Sequence, residues 1–338
     1  MNRWPVVAAV GTVLLSGCGF GSERHSGQAG AGDPLQQAEI ATRGTDYDGV
    51  MDTRRLYERK WISGQVRAYF HAPGLSRYEY LTPPLRGIIK AKAKGFAWTY
   101  DPRQGRVVIV PGPLTEDVDR DELTRENYKT RIGPTTMVAG RQAKQVDVVP
   151  KHPGNSSRRF WVDSSTGVVL GWEHIRPDGS MEAFSRFNFV EFKPQLDRLF
   201  EPPPGVPAVQ TASRPVSLHD LTETLGYAPQ FPRWLPPGYK QESSFLTTCE
   251  DGCGAPAGMT RFSDGVNSIV LFQSRRVIGG VDSRPNEHVV SLVKDNVNYI
   301  VVGDADPQLL KQIGRSVPAP PPSPEPQPDR SLLGSGGH

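Results

Sequence analysis

The fold is decided by the stretch Ser157-Arg-Arg-Phe-Trp-Val-Asp-Ser-Ser-Thr-Gly-Val-Val-Leu-Gly-Trp-Glu-His-Ile-Arg176. Ser157 to Asp163 contains the apolar run Phe160-Trp-Val162, Val168 to Arg176 is mostly apolar, and turn-forming residues separate the two runs. Short runs joined by Asp, Ser, Thr and Gly predict two antiparallel strands of a hairpin. We therefore expect a fold built from hairpins.

Similar runs recur about every ten residues on both sides of this stretch, separated by Asp-Pro, Thr-Gly and Asp-Gly turns, which is typical of antiparallel sheets. A helix is predicted from Pro34 to Thr42, with Asp33 as its N-cap. Residues 33–200 are thus predicted to form a mainly β (α+β) domain with one large antiparallel sheet. Its further strands are predicted at Gly49 to Leu56, Ser63 to Ala72, Ser76 to Leu81, Gly87 to Ala93, Gly95 to Tyr100, Arg106 to Val110, Thr136 to Val138, Gln142 to Pro150 and Met181 to Glu191.

A second β-rich domain is predicted over residues 217–317. It begins with a helix at Leu218 to Leu225 and ends with a helix at Pro307 to Ser316, capped by Asp306. A proline-rich linker over 201–216 is expected to hold the two domains apart as a semi-rigid spacer. Residues 318–338 hold seven prolines and are predicted to be a disordered tail.

The N-terminus has the features of an exported lipoprotein. Residues 1–17 combine a basic start, a short apolar run and a small-residue processing site, as in a signal peptide. Cys18 follows Ser16 and Gly17 and resembles the acylated cysteine of the bacterial lipobox, which implies attachment to a membrane. Residues 18–32 are a predicted flexible tether. Gly19 is not the aspartate of the common inner-membrane retention signal, which favours the outer membrane where one exists, and the folded part is expected to face the periplasm or the cell exterior.

Composition and motifs exclude several classes of protein. The chain has 39 Lys and Arg against 36 Asp and Glu, and a net charge of +3 gives no reason to expect nucleic-acid binding. The sequence lacks nucleophile-elbow, zinc-protease, phosphate-loop and dinucleotide motifs, and its seven histidines are scattered. His174 is interpreted as a solvated or core histidine rather than a base. We expect no enzyme activity, no catalytic residue, no cofactor and no metal site.

Three local features leave alternatives open. Cys249 and Cys253 flank an Asp-Gly turn in an exported chain and are predicted to form a disulfide, with a reduced buried pair as the alternative. The acidic run Thr115 to Glu122 departs from a calcium loop and is interpreted as the first turn of a short helix capped by Thr115. The basic run Lys90 to Lys94 is either a solvated sheet face, a protected edge, or a contact for anionic lipid or an acidic partner.

Aromatic residues are concentrated on the predicted strands of the first domain. A sheet with an apolar side must cover it with a helix or leave it open to an apolar ligand. Phe187, Phe189 and Phe192 would share one side of a strand if a bulge corrects a one-residue offset. The candidate lining of an apolar cavity is Phe70, Tyr80, Trp98, Tyr100, Phe160, Trp172, Phe187 and Phe189.

Short phrases in both domains resemble the RseB/MucB family, and together they cover residues 33 to 317 in the same order. The phrases that resemble its N-terminal domain are Tyr47-Asp-Gly-Val50, Trp98-Thr-Tyr-Asp-Pro102, Ala139-Gly-Arg-Gln-Ala143, Phe160-Trp-Val-Asp-Ser-Ser-Thr-Gly167 and Leu199-Phe-Glu-Pro202. Those that resemble its C-terminal domain are Trp234-Leu-Pro-Pro-Gly-Tyr239, Phe262-Ser-Asp-Gly265, Ser268-Ile-Val-Leu-Phe272 and Val301-Val-Gly-Asp-Ala-Asp-Pro307.

This resemblance implies a fold and a function. The family's N-terminal domain is similar to the lipoprotein carriers LolA and LolB, which implies a half-barrel sheet with a covering helix, followed by a smaller α+β domain. It also implies an envelope-stress regulator that binds the extracytoplasmic segment of a membrane anti-sigma factor and senses a lipid or acyl ligand. The alternatives are a lipid or lipoprotein carrier and a structural envelope lipoprotein. The chain departs from the family in its lipid anchor, its Cys249 to Cys253 insertion and its proline-rich tail.

Overall fold

A computed structural model of the chain describes residues 33–57, 60–111, 120–194, 196, 199–210, 214–248, 256–276, 288–303 and 305–320. The predicted signal peptide, the tether, Cys18, Cys249, Cys253 and residues 321–338 of the predicted tail lie outside the described residues. No helix within the described ranges is long and apolar enough to cross a membrane.

The first domain contains a 12-stranded sheet made of two meanders. Its elements are α1 (Pro34–Gly44), β1 (Tyr47–Tyr57), β2 (Lys60–His71), β3 (Leu75–Tyr80), β4 (Ile89–Ala93), β5 (Phe96–Asp101), β6 (Arg106–Pro111), α2 (Arg120–Asn127), β7 (Tyr128–Val138), β8 (Arg141–Pro150), β9 (Ser157–Asp163), β10 (Val169–Ile175), β11 (Met181–Phe192) and β12 (Ala208–Gln210). Strands β1 to β6 lie in sequential order on one side and β7 to β11 on the other, and β1 pairs with β11 at the centre. This confirms the predicted mainly β class and the large antiparallel sheet.

The β9–β10 hairpin has the turn that its sequence predicts. Asp163 is buried, and its Oδ1 accepts hydrogen bonds from the backbone amides of Ser165 at 3.0 Å and Thr166 at 2.8 Å. Arg141 from β8 pairs with the other carboxyl oxygen at 2.5 Å. Although burial opposes ionisation, these donors hold the pKa of Asp163 well below its usual range. A fixed carboxylate therefore closes this turn.

Helix α1 packs on one face of the sheet, as the covering helix of the prediction requires. Its N-cap is Asp33, whose side chain accepts from the amide of Leu35, and the helix begins at Pro34 as expected. Leu35 and Ala38 pack against Phe160 and Trp172. We call this side the helix face and the other side the outer face.

A bulge in β11 decides the faces of its aromatic residues. The β1–β11 register shifts between Val50 and Met51, so that Phe189 lies opposite Val50 and Phe187 lies opposite Met51. Phe187 and Phe192 consequently share the helix face with Tyr47, but Phe189 lies on the outer face and is 55% exposed. A bulge is therefore present, but it lies between Phe187 and Phe189 and not between Phe189 and Phe192, where the predicted offset needs it. The prediction that Phe189 shares a side with Phe187 and Phe192 is wrong.

The second domain is a six-stranded sheet with two helices on one face. The helices α3 and α4 have the predicted bounds, and the side chain of Asp306 caps α4. Buried residues from both helices, including Leu221 and Leu310, pack with Tyr299 and Phe262 of the sheet. Its elements are β13 (Arg214–Pro215), α3 (Leu218–Leu225), β14 (Lys240–Thr248), β15 (Pro256–Ser263), β16 (Ser268–Ser274), β17 (His288–Lys294), β18 (Val297–Gly303) and α4 (Pro307–Ser316).

The segment predicted as a spacer lies along the first domain instead of holding the domains apart. The carbonyl oxygen of Phe200 accepts a hydrogen bond from the indole of Trp98 at 2.8 Å, and Val206 packs on the same tryptophan's cluster. Strand β12 then adds in parallel to β6. Because this segment packs and hydrogen-bonds on the sheet, it does not extend as a free polyproline rod. The two domains therefore contact each other directly.

The structure differs from two further predictions. Strand β4, which carries Lys90 and Lys92, pairs with both β3 and β5, so the protected-edge interpretation of these lysines is wrong. Helix α2 begins at Arg120, five positions after the cap predicted at Thr115, and Asp121 and Glu122 occupy its first turn. Residues 115–119 lie outside the described ranges.

Candidate functional site at the junction of the two domains

The turn between β15 and β16 carries Asp264 into the first domain. The side chain of Asp264 is fully buried, and its Oδ2 accepts hydrogen bonds from the Tyr128 hydroxyl at 2.5 Å and from the Asn155 amide at 3.3 Å. Its Oδ1 accepts from the backbone amides of Val266 at 3.0 Å and Asn267 at 2.7 Å. One carboxyl group thus joins its own turn to two side chains of the other domain.

Amide side chains extend these contacts on both sides. Asn127, at the end of α2, donates through Nδ2 to the carbonyl oxygens of Gly238 at 3.0 Å and Asp264 at 3.1 Å. From the second domain, the side chain of Asn267 donates to the Tyr128 hydroxyl at 2.8 Å and accepts from Arg158 of the first domain at 3.3 Å. Buried polar groups that satisfy one another in this way specify one arrangement of the surfaces that carry them.

The electrostatics of the junction keep Tyr128 as a donor. Burial, reinforced by the nearby carboxyl group of Asp264, raises the pKa of Tyr128 well above its usual value. Burial also raises the pKa of Asp264, although the donors around it act in the opposite direction. The phenol therefore keeps its proton and its hydrogen bond at neutral pH.

Two glycines allow the domains to approach closely. A Cβ atom on Gly265, whose φ is +97°, would lie 2.5 Å from the backbone nitrogen of Thr124. A Cβ atom on Gly238, with φ of +88°, would lie 2.5 Å from Asn127 Oδ1. Both positions need glycine because its backbone tolerates positive φ and because no side chain fits in the space.

A buried group of three charged side chains forms a second contact of the junction. Glu242 on β14 is fully buried, and its two oxygens lie 2.6 and 2.8 Å from Nε and Nη2 of Arg120 on α2. Arg261 on β15 approaches the same carboxylate at 2.5 Å. Such a group is strongly destabilised when one member is removed, because its partners remain buried and charged.

A third contact brings His288 of β17 to Glu182 of β11. Glu182 Oε1 lies 3.1 Å from His288 Nε2 and 2.7 Å from Arg176, and Oε2 lies 3.2 Å from His174 Nδ1. Burial opposes ionisation of Glu182, but His288 and Arg176 lower its pKa. Burial, together with the positive charge of Arg158, lowers the pKa of His174 well below its usual value. His174 is a buried neutral residue that contacts a carboxylate, as the core interpretation of its sequence position requires.

The structure separates the predicted cavity-lining residues into two groups. Strand register places Phe70, Tyr80, Phe160, Trp172 and Phe187 on the helix face. The remaining predicted residues lie on the outer face: Trp98, Tyr100 and Phe189.

The environments of these residues differ as well. Phe160, Trp172 and Phe187 are at most 8% exposed and pack within the core. Phe70 is half-buried and stacks on Tyr47 with ring centres 4.4 Å apart. Tyr80 is also half-buried and lines a shallow pocket with Leu81. These two therefore remain the best placed to touch a ligand on the helix face.

Apart from His174, the residues of the junction are not candidates in the sequence, although Phe262-Ser-Asp-Gly265 is one of the quoted phrases. The dipeptide Asp-Gly by itself predicts only a turn. The contacts of Asp264 with Tyr128 and Asn155 cannot be predicted from neighbouring residues, because they span more than 100 positions. No group of three or more His, Cys, Asp or Glu side chains that could hold a metal ion occurs in the described part of the chain. The junction is thus a docked interface between domains.

These features define a two-domain, mainly β protein whose domains meet through buried polar side chains. Residues 32–199 match the family model of the MucB/RseB N-terminal domain. Through this domain the chain belongs to the MucB/RseB family. The sigma-E factor regulatory protein RseB of Escherichia coli K12 is 24% identical over 188 residues, which cover 54% of this chain and 56% of RseB. The chain therefore spans about half the length of the curated relatives it matches.

Solved structures resemble this chain over both domains. The complex structure of Pseudomonas aeruginosa MucA/MucB aligns with a TM-score of 0.60 and 18% identity, covering 86% of this chain and 99% of that chain. A crystal structure of MucB in complex with MucA(peri) gives a TM-score of 0.59 and 17% identity, covering 85% of this chain and 98% of that chain. At these identities the comparison shows a shared fold, including the order of the two domains.

Proposed function

We propose that this protein is a lipid-anchored, non-enzymatic regulator in the cell envelope that binds the extracytoplasmic segment of a membrane anti-sigma factor. The observation that carries the proposal is the match to nearly the whole MucB chain, which was solved together with MucA. The matched relative RseB is named a regulator of sigma-E. Acylation of Cys18 would place the folded part on the outside of a membrane, where such a segment is exposed.

The junction supports this proposal physically. A ligand segment that contacts both domains needs them in a fixed relation, because ordering them on binding would cost conformational free energy. Asp264, Glu242 and Glu182 each bridge the domains in the unbound chain. The two domains are thus already arranged before a partner arrives.

Purification from solubilised membranes tests the proposed partner. We expect the wild-type protein in the membrane fraction, with an anti-sigma factor identified by mass spectrometry among the proteins that co-purify. The Cys18→Ser variant should move mostly to the soluble fraction, because the acyl chains hold the protein to the bilayer. Recovery of no sigma-factor regulator with or without added lipid would contradict the proposal.

A finer proposal concerns the ligand that the protein senses. We propose that an acyl chain binds on the helix face beside Phe70 and Tyr80, since both rings are half-buried and Tyr80 borders a pocket with Leu81 and Ile88. A lipid carrier, the alternative function, would use the same surface. Release of the anti-sigma segment on lipid binding distinguishes the sensor from the carrier.

Native mass spectrometry tests this site. We expect acyl species bound to the wild-type protein, and a loss of roughly tenfold in occupancy for Tyr80→Asp, because a carboxylate in an apolar site is strongly disfavoured. The matched control is Phe189→Asp, an aromatic replacement on the outer face, which should leave occupancy unchanged. Equal loss in both variants, or no acyl species at all, would reject the site.

A further inference from the structure

At the end of the β1–β2 hairpin, strand β2 forms an edge of the described sheet. β1 pairs with β11 only as far as Arg55, and β2 pairs with β3 only from Val66 onward. From Lys60 to Gly64, the only described strand that pairs with β2 is β1. At about 3.3 Å per residue, this edge of β2 is roughly 16 Å long. Only the pairs Leu56–Trp61 and Tyr57–Lys60 extend beyond β11. We refer to Arg54 to Tyr57 of β1 together with Lys60 to Gly64 of β2 as the hairpin end.

The sequence of the hairpin end carries an excess of positive charge. Residues 53–65 contain four basic residues and one acidic residue. Lys60 is exposed, and no described carboxylate forms an ion pair with Lys60 or Arg54. Five arginines elsewhere in this domain have carboxylate partners: Arg67 with Asp48, Arg77 with Glu79, Arg103 with Asp101, Arg141 with Asp163, and Arg159 with Asp147 and Glu173.

An exposed tryptophan stands beside these charges. Trp61 is 37% exposed, and the Arg54 guanidinium lies 4.4 Å from the centre of its ring. Leu56 lies directly opposite Trp61 on β1 and is half-buried. A tryptophan flanked by cations has an apolar body and a polar rim, which suits the boundary between lipid headgroups and acyl chains.

We propose that the hairpin end docks on an anionic phospholipid surface, with Lys60 and Arg54 near the phosphates and Trp61 at the level of the headgroups. The unpaired cations fit a surface of negative charge, and each basic side chain near such a surface strengthens binding by roughly fivefold. The contact is separate from the acyl anchor at Cys18 and from the proposed acyl ligand on the helix face. It would fix how the folded domains face the membrane, which a flexible tether alone does not do.

Vesicle co-sedimentation tests the docking in the mature chain, residues 18–338, with Cys18→Ser so that no acyl chain is attached. We expect binding to phosphatidylcholine vesicles that contain phosphatidylglycerol, little binding to pure phosphatidylcholine, and weakening at high salt as charges are screened. The pair Lys60→Gln with Trp61→Ser should weaken binding by at least tenfold. The anti-sigma co-purification described above is measured separately, so that either result stands without the other.

The matched control replaces a cation and an apolar residue on the exposed edge strand β7. Lys129→Gln with Ile132→Ser changes the same charge on an exposed strand, and Ile132 is 64% exposed. This variant should bind vesicles as the parent chain does. Lys60→Glu alone provides a variant that leaves the tryptophan in place. Equal binding to both vesicle types, or equal losses in the β7 and hairpin variants, would overturn the proposal.

Discussion

Replacing Glu242 with alanine is expected to lower the free energy of unfolding by about 3–5 kcal/mol. The carboxylate is fully buried between Arg120 of the first domain and Arg261 of the second, whose side chains are 10% and 6% exposed. Without Glu242, two guanidinium groups remain in a poorly hydrated junction without the charge that both face. Urea unfolding, monitored by tryptophan fluorescence, measures the change.

Glu126 provides the matched control for this prediction. It also pairs across the junction, with Lys240 at 2.7 Å, but its side chain is 46% exposed and that of Lys240 is 57% exposed. Solvent screens this pair, so Glu126→Ala should cost at most about 1 kcal/mol. A loss for Glu242→Ala as small as that for Glu126→Ala would show that burial of the three charges does not stabilise the junction.

Local patterns in the sequence predicted most of the individual elements. The β9–β10 hairpin and the bounds of α3 and α4 are confirmed, because turn residues and N-caps act within a few positions. Pairing between strands that lie far apart in the sequence is harder to predict from local patterns. The sequence predicts only the end of β7, since Gly133 and Pro134 interrupt its pattern. It predicts a linker at β12, because the partner strand β6 lies 101 positions away.

The junction was harder to predict than the fold for a related reason. Whether a buried Asp-Gly turn such as Asp264-Gly265 only reverses the chain or also docks on another domain depends on residues far away in sequence. The side of the sheet on which an aromatic residue lies depends in turn on every bulge before it. One bulge in β11 separates Phe189 from Phe187. Trp98 and Tyr100 lie on the outer face because of the pairing of β5 with β4, β3 and β2, in which no register shift occurs.

Replacing Asp264 with alanine is expected to lower the free energy of unfolding by about 4 kcal/mol. The change removes the acceptor of five hydrogen bonds, from the side chains of Tyr128, Asn155 and Asn267 and from the amides of Val266 and Asn267. The backbone amides of Val266 and Asn267 would lose their side-chain acceptor in an enclosed turn, and the Tyr128 hydroxyl would keep only a long contact of 3.5 Å to the carbonyl oxygen of Ser156. Asn155 and Asn267 keep the carbonyl oxygen of Pro237 and the Tyr128 hydroxyl as acceptors. Denaturant unfolding gives the loss of stability, and the co-purification assay should show weaker retention of the anti-sigma segment.

Asp178 separates the interdomain contribution of Asp264 from its role in the turn. It also precedes a glycine in a hairpin turn, and its carboxylate accepts from the amide and hydroxyl of Ser180 at 2.8 and 2.6 Å, but it is exposed and bonded only within its own turn. Asp178→Ala should therefore leave both unfolding and partner retention close to those of the wild type. If the two variants lost equal stability, Asp264 would contribute only as a turn residue, and docking through its carboxyl group would be rejected. A large loss confined to Asp264→Ala would mean that this carboxyl group holds the two domains together.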